Sequence, residues 1–551
     1  MFITCEGNRD WIALPDGSTA GQCLEALGLL RPDTLAATRD GMPVDLSEPL
    51  NRGGVFAALS LADEEGERIY ERSLRFVMLL ALRRLRPGQR VRIDYSLGRG
   101  VRVRLPGCSL SETDLAELRR EMQALIAQNL PFTKSRWSRD EAIRYFHEDG
   151  QEDKAELLRT RPYDWFQVYS CGGMWEYFYG AMAPGTGCVA VFDLHLLRPD
   201  GFVLLLPQEG DPAHPAAYVE QPKHLAAFSQ SARWCDILGV NNVADLTRLR
   251  DQRELREFIR VNEALHEQAL GEIAEQIVKA GRRVVLVAGP SSSGKTTTAG
   301  RLAVQLRVLG RHAYRISLDD YYLDRDKITP EPDGSLDLEQ LHALDLPRLQ
   351  EDMRRLLDGE LVMIPRFSFA RGAREPEGHP LQLKENELVI FEGIHALNPA
   401  LVRNIPPSAI HRVFVSALTC LNLDDHNRIR TTDVRLLRRI VRDLRFRATT
   451  PEKTLSMWPS VRRGEQKWIF PYQEMADSVF NTALHYELPV LRHFSYQLLQ
   501  QVPSTDPGWL RANRLMKMLH YIPDISEDIL AEIPPLSLLR EFIGGCTIDE
   551  R

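Results

Sequence analysis

Few folds can accommodate residues 284–310. Val284-Val285-Leu286-Val287-Ala288 is an unbroken apolar run of the kind that forms a strand buried on both faces of a parallel sheet. Gly289-Pro290-Ser291-Ser292-Ser293-Gly294-Lys295-Thr296 follows and fits G-x-x-x-x-G-K-[ST]. Leu302, Ala303, Leu306 and Leu309 then fall on one helical stripe. In such a loop the two glycines let backbone N–H groups turn inward around phosphate oxygens. Lys295 can reach the β- and γ-phosphates, and the Thr296 hydroxyl can bind Mg²⁺. The phosphates would sit at a helix N-terminus, whose dipole favours negative charge. A loop rich in glycine and serine can match by chance, but a strand before it and a helix after it make coincidence a poor explanation. The stretch predicts an α/β fold with a doubly wound parallel sheet and a bound nucleotide. By itself it does not specify phosphoryl transfer.

The 551 residues suffice for three or four domains with cores of their own. A chain that is 44% hydrophobic and 26% charged is expected to be folded and soluble. The net charge of −7 argues against a nucleic-acid or membrane footprint over the whole surface, although a local basic patch is compatible with it. The eight cysteines (Cys5, Cys23, Cys108, Cys171, Cys188, Cys235, Cys420 and Cys546) contain no C-x-x-C pair. Buried thiols in a reducing cytosol, and no structural zinc, are expected. Met1-Phe2-Ile3-Thr4-Cys5-Glu6 has neither a basic segment nor a long apolar core, so no signal peptide is expected. No run of about 18 apolar residues occurs, so no membrane-spanning helix is expected either.

Ahead of the loop, residues 1–62 read as a small α+β unit. Trp11–Leu14 is strand-like, Pro15-Asp16-Gly17 is a turn signal, Thr19 can cap a helix, and Val55–Leu59 can close a sheet. Residues 63–215 read as a second unit: a helix over Arg72–Leu85, strands Val91–Tyr95 and Val101–Leu105 of a hairpin, a helix over Leu115–Asn129, and a strand over Val189–Leu197. Arg99, Arg102 and Arg104 could touch phosphate or form a solvated strand face. Residues 216–280 read as helical connectors over Leu225–Leu238 and Leu255–Ala280, with gaps short enough for a rigid arm. The first unit resembles the TGS domain, a β-grasp module of threonyl-tRNA synthetases and some GTPases. The second resembles the additional, editing domain of threonyl- and alanyl-tRNA synthetases. There a helical H-x-x-x-H pair and a later Cys and His hold a metal. In this chain Arg72 and Phe76 stand at the helical positions and Trp175 at the later one, and Cys171 remains. One ligand of four cannot make a metal site, so the resemblance implies the fold without metal-dependent editing. A scaffold or dimerisation platform is expected, with RNA or small-ligand sensing as the alternative.

After the loop, Ala313–Leu318 is a plausible second strand with Asp319 and Asp320 at its C-terminal end, where strands of a doubly wound sheet open into the ligand crevice. A carboxylate there could take a proton from an attacking hydroxyl; a turn or helix cap would be the better reading without the phosphate loop, and with it catalysis is favoured. Leu388-Val389-Ile390-Phe391-Glu392-Gly393 predicts a third buried strand tipped by Glu392, which could orient Mg²⁺ and its waters beside Thr296, with Gly393 permitting close backbone approach. Residues 435–447 place Leu436, Ile440 and Leu444 on one stripe and surround it with arginines. That pattern is either a solvated basic face or a lid bringing Arg439, Arg442 or Arg447 onto polyphosphate.

Together these segments, in this order, resemble the uridine kinase and phosphoribulokinase group of P-loop kinases. With the synthetase-like front half, the chain resembles bacterial uridine kinase-like proteins that carry an N-terminal TGS domain. Further matches are Thr329-Pro330, Trp458–Glu465, Ile469–Tyr472 and Leu539–Gly545. The resemblance implies a kinase domain over 281–500, a helical tail over 501–551, ATP and Mg²⁺ as cofactors, and a nucleoside-like acceptor. It implies Gly289, Pro290, Ser291, Ser292, Ser293, Gly294, Lys295, Thr296, Thr297 and Arg447 around the nucleotide, with Thr296 and Glu392 toward the metal. It implies Asp319 as general base, assisted by Lys295, Arg439 and Arg442, and Tyr322, Glu339, Phe367 and Arg374 toward the acceptor. The family's acidic ribose-binding segment aligns with Asp337-Leu338-Glu339. Two departures weaken uracil specificity: Phe367 replaces a tyrosine and Gly372 replaces a histidine of the base-reading segment. A cytoplasmic homo-oligomer with no membrane contact is expected. A regulatory ATPase bound to RNA or the ribosome is the competing expectation, and the negative net charge disfavours it.

Overall fold

The computed structural model describes residues 1–548 apart from 8, 9, 162, 250, 329–338, 369 and 370. At the front, Ile12–Ala13, Phe2–Cys5, Gly54–Leu59, Ala36–Arg39 and Met42–Val44 form one sheet in that order, with Phe2–Cys5 and Gly54–Leu59 pairing in parallel at its centre. The helix Ala20–Ala26 starts at Thr19, whose side chain and that of Gln22 cap each other's backbone N–H groups. Ile3, Cys23, Leu24 and Phe56 close a small core between this helix and the sheet.

Helix α1 (Glu64–Leu85) is the spine of the next unit. Its apolar residues from Ile69 to Leu82 share a core with Val101, Val103, Phe202 and Leu204. The last four belong to an antiparallel sheet of Asp193–Leu197, Gly201–Leu205, Gly100–Arg104 and Arg92–Leu97. The strand expected from Val189 begins only at Asp193. Thr186 donates its hydroxyl to the Leu125 carbonyl at 2.7 Å and holds Thr186–Val189 in a 3-10 turn instead. The three arginines weighed as phosphate contacts are engaged elsewhere: Arg99 pairs with Glu67 at 2.5 Å, Arg102 with Asp200 at 3.6 Å and Arg104 with Asp94 at 2.6 Å.

The connector contains Pro222–Leu238, Val243–Arg248 and the long helix α2 (Gln252–Lys279). Leu270, Ile273 and Ile277 of α2 share a core with Leu302 and Leu306 of α3 (Lys295–Val308), so the connector is packed onto the sheet domain. That domain is built on five parallel strands: β1 (Val284–Ala288), β2 (His312–Ser317), β3 (Glu387–Glu392), β4 (Ile410–Ser416) and β5 (Ser478–Asn481), in the order β2-β3-β1-β4-β5. β1 is central. Val285 and Val287 enter the core on one face; Val284, Leu286 and Ala288 enter the core on the other. This explains why its sequence shows no polar alternation.

The helices that follow are α4 (Thr431–Arg447), α5 (Pro451–Trp468), α6 (Glu487–Gln500) and α7 (Trp509–Leu519). Residues 501–548, expected as a tail, are built into the molecule: Leu515, Leu519, Leu538 and Phe542 are fully buried. The two halves are joined by ion pairs between Arg68 and Asp433 at 3.0 Å and between Arg428 and Glu71 at 3.1 Å. No helix among the described residues is long and apolar enough to cross a membrane.

Inside the sheet domain, Arg438 of α4 donates to Glu487 at 2.7 Å and to the Thr482 carbonyl at 2.8 Å, with both side chains buried. Removing one partner of such a pair strands the other charge. Arg438→Met is expected to destabilise the protein by about 3–5 kcal/mol in urea unfolding, and adding Glu487→Leu is expected to recover most of that loss.

Candidate active site

The phosphate loop is shaped by what surrounds it. A Cβ at Gly289 would lie 2.0 Å from the Val415 carbonyl of the neighbouring strand, so only glycine fits between β1 and β4. Gly294 has φ +87° and opens α3, and a Cβ there would meet Leu538 at 2.6 Å. Ser292 holds φ +57°, an uncommon conformation for a residue with a side chain. Ser293 is fixed by the Thr482 hydroxyl, which donates to its carbonyl at 2.6 Å. The hydroxyls of Ser292 and Ser293 are buried and have no hydrogen-bond partner among the described residues. Lys295 donates to the Pro290 carbonyl at 3.3 Å. Buried unsatisfied hydroxyls at a helix N-terminus, with an ammonium beside them, fit a polyphosphate.

Carboxylates converge on the loop from three directions. β2 and β3 run in register, Ser317 opposite Glu392, so both strands end at the crevice and deliver Asp319 and Glu392 to it. The Thr296 hydroxyl donates to Glu392 at 3.4 Å. The two neighbouring aspartates separate by role. Asp320 accepts the Phe367 N–H at 3.2 Å and secures a loop, whereas Asp319 faces the charge of Lys295. The third carboxylate is Glu541, which accepts from the Thr297 N–H at 3.3 Å and from the Thr297 hydroxyl at 2.7 Å. Burial raises the Asp319 carboxyl above its ordinary range, against the pull of Lys295 and Arg447. Burial, with Asp319 next to it, raises Glu392 to about 7. Burial lowers Lys295, opposed by Glu392, Glu541 and Asp319. No group of three or more metal-ligating side chains occurs among the described residues. Thr296 and Glu392 do fit Mg²⁺, which binds through one or two protein oxygens together with substrate phosphates. The carboxylates crowded around Lys295 supply the negative field for it.

Helix α4 carries the basic residues of the expected lid, and its first three turns are anchored in this structure. Val434, Leu436, Leu437, Ile440 and Val441 are buried, while Leu444, expected on the same stripe, is exposed. Arg435 is buried in an ion pair with Glu465 of α5 and also donates to the Ser291 carbonyl at 2.9 Å. Glu465 in turn accepts the Ser291 N–H at 3.1 Å. Arg439 donates to the Ser291 hydroxyl at 2.5 Å and lies 3.1 Å from Asp443. Arg442 pairs with Asp443 at 2.7 Å, and Arg447 approaches the same carboxylate at 3.9 Å. The structure thus brings Arg439, Arg442 and Arg447 around Asp443 beside the loop, on a helix anchored along its first three turns.

The segment that the resemblance assigns to the acceptor is a short hairpin, Phe367–Ser368 paired with Ala373–Arg374. The Phe367 and Tyr322 rings lie 5.8 Å apart and tilted by 53°. Arg374 is engaged within the protein. It donates to Asp345 at 2.9 Å and to the carbonyls of Tyr322 and Tyr321 at 3.0 and 3.1 Å, so it holds the segment that follows Asp319. Gly372 has φ +67°, and a Cβ there would run into Arg325 at 2.6 Å. Glu339 packs against α5, where a Cβ at Gly464 would come within 2.1 Å of its carboxylate, and its charge acts on Arg439. Thr329, Pro330, Asp337 and Leu338 lie outside the described residues.

Two residues at the loop carry no role from sequence reasoning: Glu465 and Glu541. Both fall within segments singled out by resemblance, and both act on the loop across long sequence separations, which no local pattern reveals. In the front half, Arg72 donates to the Ala181 carbonyl, Phe76 packs on Phe132 and Phe178, and Cys171 is a buried free thiol. All eight cysteines are free.

A parallel sheet with a phosphate loop after its central strand, and carboxylates at the ends of the two strands beyond it, defines the P-loop kinase fold for the C-terminal region. Residues 284–487 match the model of the Phosphoribulokinase / Uridine kinase family. The N-terminal region is similar to threonine–tRNA ligases. The ligase of Carboxydothermus hydrogenoformans is 29% identical over 190 residues, 34% of this chain and 30% of that one. The ligase of Burkholderia lata is 30% identical over 194 residues, 33% of this chain and 31% of that one. The chain therefore spans less than a third of the length of these curated relatives. Among solved structures, D-glycerate 3-kinase from Cryptococcus neoformans superposes with a TM-score of 0.20 at 16% identity, over 50% of this chain and 89% of that one.

The raised carboxyl of Glu392 has a pH consequence. Its ordinary value is 4.5 and its folded value about 7, so the folded state binds more protons between these limits. Stability therefore falls as pH rises through that window. In metal-free buffer, Glu392→Gln is expected to remove this part of the fall, seen as a shallower loss of melting temperature between pH 5 and pH 7 (about the span of the shift). Identical pH slopes for the two proteins would contradict the assignment.

Proposed function

We propose that this protein transfers the γ-phosphoryl group of ATP to a hydroxyl of a nucleoside or a related small metabolite. The observation that carries the reading is Asp319, a carboxylate at the mouth of the β2 strand whose affinity for a proton is raised by burial and which faces Lys295 of the phosphate loop. In the proposed reaction the acceptor oxygen attacks the γ-phosphorus and its proton passes to Asp319. The bond from the γ-phosphorus to the β–γ bridging oxygen breaks, and ADP leaves. Lys295, Arg439 and Arg442 offset the charge on the transferred group. Mg²⁺, held by Thr296 and Glu392, supplies further neutralisation of the phosphates when bound.

The match of residues 284–487 to the Phosphoribulokinase / Uridine kinase family supports this reading. On the acceptor side, the Phe367 and Tyr322 faces suit a flat or apolar group, and Phe367 brings no hydroxyl to read the edge of a base. A pyrimidine nucleoside is accordingly one candidate acceptor among several. The similarity of the N-terminal region to threonine–tRNA ligases favours a second reading, a regulatory ATPase acting on RNA or the ribosome. The ion-paired state of Arg99, Arg102 and Arg104 weighs against it.

Purified protein incubated with labelled ATP and a panel of nucleosides and sugar-like alcohols should yield a phosphorylated product identifiable by mass. Asp319→Asn is expected to lower kcat by about 10²–10⁴-fold with little change in the KM for ATP; retained turnover would sink the base assignment. No labelled product from any acceptor, with ATP hydrolysis responsive to RNA, would favour the second reading.

Glu541 occupies two donors at the start of α3, where nucleotide phosphates would bind. Glu541→Gln removes a competing negative charge. It is expected to lower the KM for ATP by about tenfold, the equivalent of one charge-assisted hydrogen bond. An unchanged or higher KM would show that the carboxylate does not compete.

A further inference from the structure

A cavity of about 130 Å³ lies where α1, the segment leading into α4, and α7 meet. By the same measure a single water needs about 10–15 Å³, so the space admits a small organic or inorganic anion. Its wall carries seven cationic side chains against three carboxylates, Glu65, Glu71 and Asp433.

Each of those carboxylates is shared. Glu71 faces Arg428 at 3.1 Å, Arg75 at 3.7 Å and also Arg430. Asp433 is divided between Arg68 at 3.0 Å and Arg514 at 3.1 Å. Glu65 is 3.6 Å from Arg514 and 3.8 Å from Arg72. At the rim, Glu64 adds a further partner for Arg68 and Arg514. Lys517 of α7, exposed at the mouth of the cavity, pairs with no carboxylate among the described residues. The Nε donors of Arg68, Arg75 and Arg514 are buried without a hydrogen-bond partner among the described residues, and so is one oxygen of Glu65. Burial lowers Arg75 to about 10 and Arg430 to about 9, each with other arginines adding to the effect, whereas Asp433, Glu64 and Glu65 outweigh burial at Arg68 and raise it.

Unmatched buried cations are costly, and a purely structural ion-pair network would be expected to balance its charges. With Glu64 counted, seven cations face four carboxylates, so the network is short of anions by three units, one of them at the exposed Lys517, and its free donors are guanidinium groups, whose planar fork matches phosphate oxygens. We infer that the cavity between α1 and α7 is a second anion site, distinct from the phosphate loop, that binds a small molecule through a phosphate or pyrophosphate group. The bound anion would neutralise the excess charge and tie the front half to the base of α4. The inference stands independently of the transfer reaction.

The test uses the full chain carrying Lys295→Ala, which disables the phosphate loop, and titrates inorganic pyrophosphate by calorimetry. One saturable site is expected, with affinity reduced at least tenfold by adding Lys517→Ala at the cavity mouth and by adding Arg75→Gln within it. Because Arg75 is buried and its loss could impair folding, Lys517→Ala is the deciding variant. The inference is overturned if the Lys295→Ala protein shows no saturable binding, or if binding is unchanged by Lys517→Ala.

Discussion

The buried ion pair between Arg435 and Glu465 decides how the phosphate loop is held. Arg435 comes from α4 and Glu465 from α5, and between them they accept and donate at both backbone groups of Ser291. Charges this deep in the protein are tolerated only when fully matched, so loop, α4 and α5 have to be correct together. The same logic runs along α4. Arg438 is matched by Glu487, and Asp433 by Arg68 of the front half. A helix fixed at three levels forms a wall of the site in this structure, with its last turn around Phe446 exposed.

This anchoring also sorts the arginines. Arg435 and Arg438 are matched to buried carboxylates and hold the architecture. Arg439, Arg442 and Arg447 share one carboxylate, Asp443, and remain near the loop. On the other side of the loop, Asp319 and Glu392 crowd around Lys295. The two faces are unbalanced in opposite senses, and burial aggravates both. Under the proposed reaction the same ligand relieves each of them, since a metal–nucleotide complex carries a cation for the carboxylates and phosphates for the guanidinium groups.

What could be read from sequence was what depends on neighbouring residues. β1, the loop and α3 follow from an apolar run, two glycines and a helical stripe. Strand-end carboxylates could be nominated because a parallel sheet exposes its strand ends at one edge. The residues alone left Asp319 and Asp320 open and the resemblance chose Asp319; what occupies Asp320 is the Phe367 N–H, which lies far along the chain. Arg374 reads as an acceptor contact until its three partners are seen to be Asp345 and two carbonyls. Among the basic residues of α4, only partners at Glu465 and Glu487 distinguish a buried arginine from a solvated one. The arginines of the front hairpin likewise look like a phosphate-binding strip because their carboxylate partners are dispersed over Glu67, Asp94 and Asp200.

The end of the chain shows why the nucleotide site cannot be treated as the sheet domain alone. Leu538 lies over Gly294, and a Cβ at Gly300 would strike Ile548 at 2.2 Å, so the last segment lines the loop and the face of α3. It is seated through Phe542, which has the Arg438 guanidinium 5.1 Å above its ring, and through Ser537, whose hydroxyl is 3.0 Å from that of Tyr486. Glu541 is carried between these fixed points but is itself only half-buried, while Leu538 and Phe542 are fully buried. Its carboxylate can therefore leave the Thr297 donors by a side-chain rotation, without unseating the segment that bears it. Opening the start of α3 to a phosphate then requires one rotamer change and the loss of two hydrogen bonds, a far smaller rearrangement than the movement of an anchored helix.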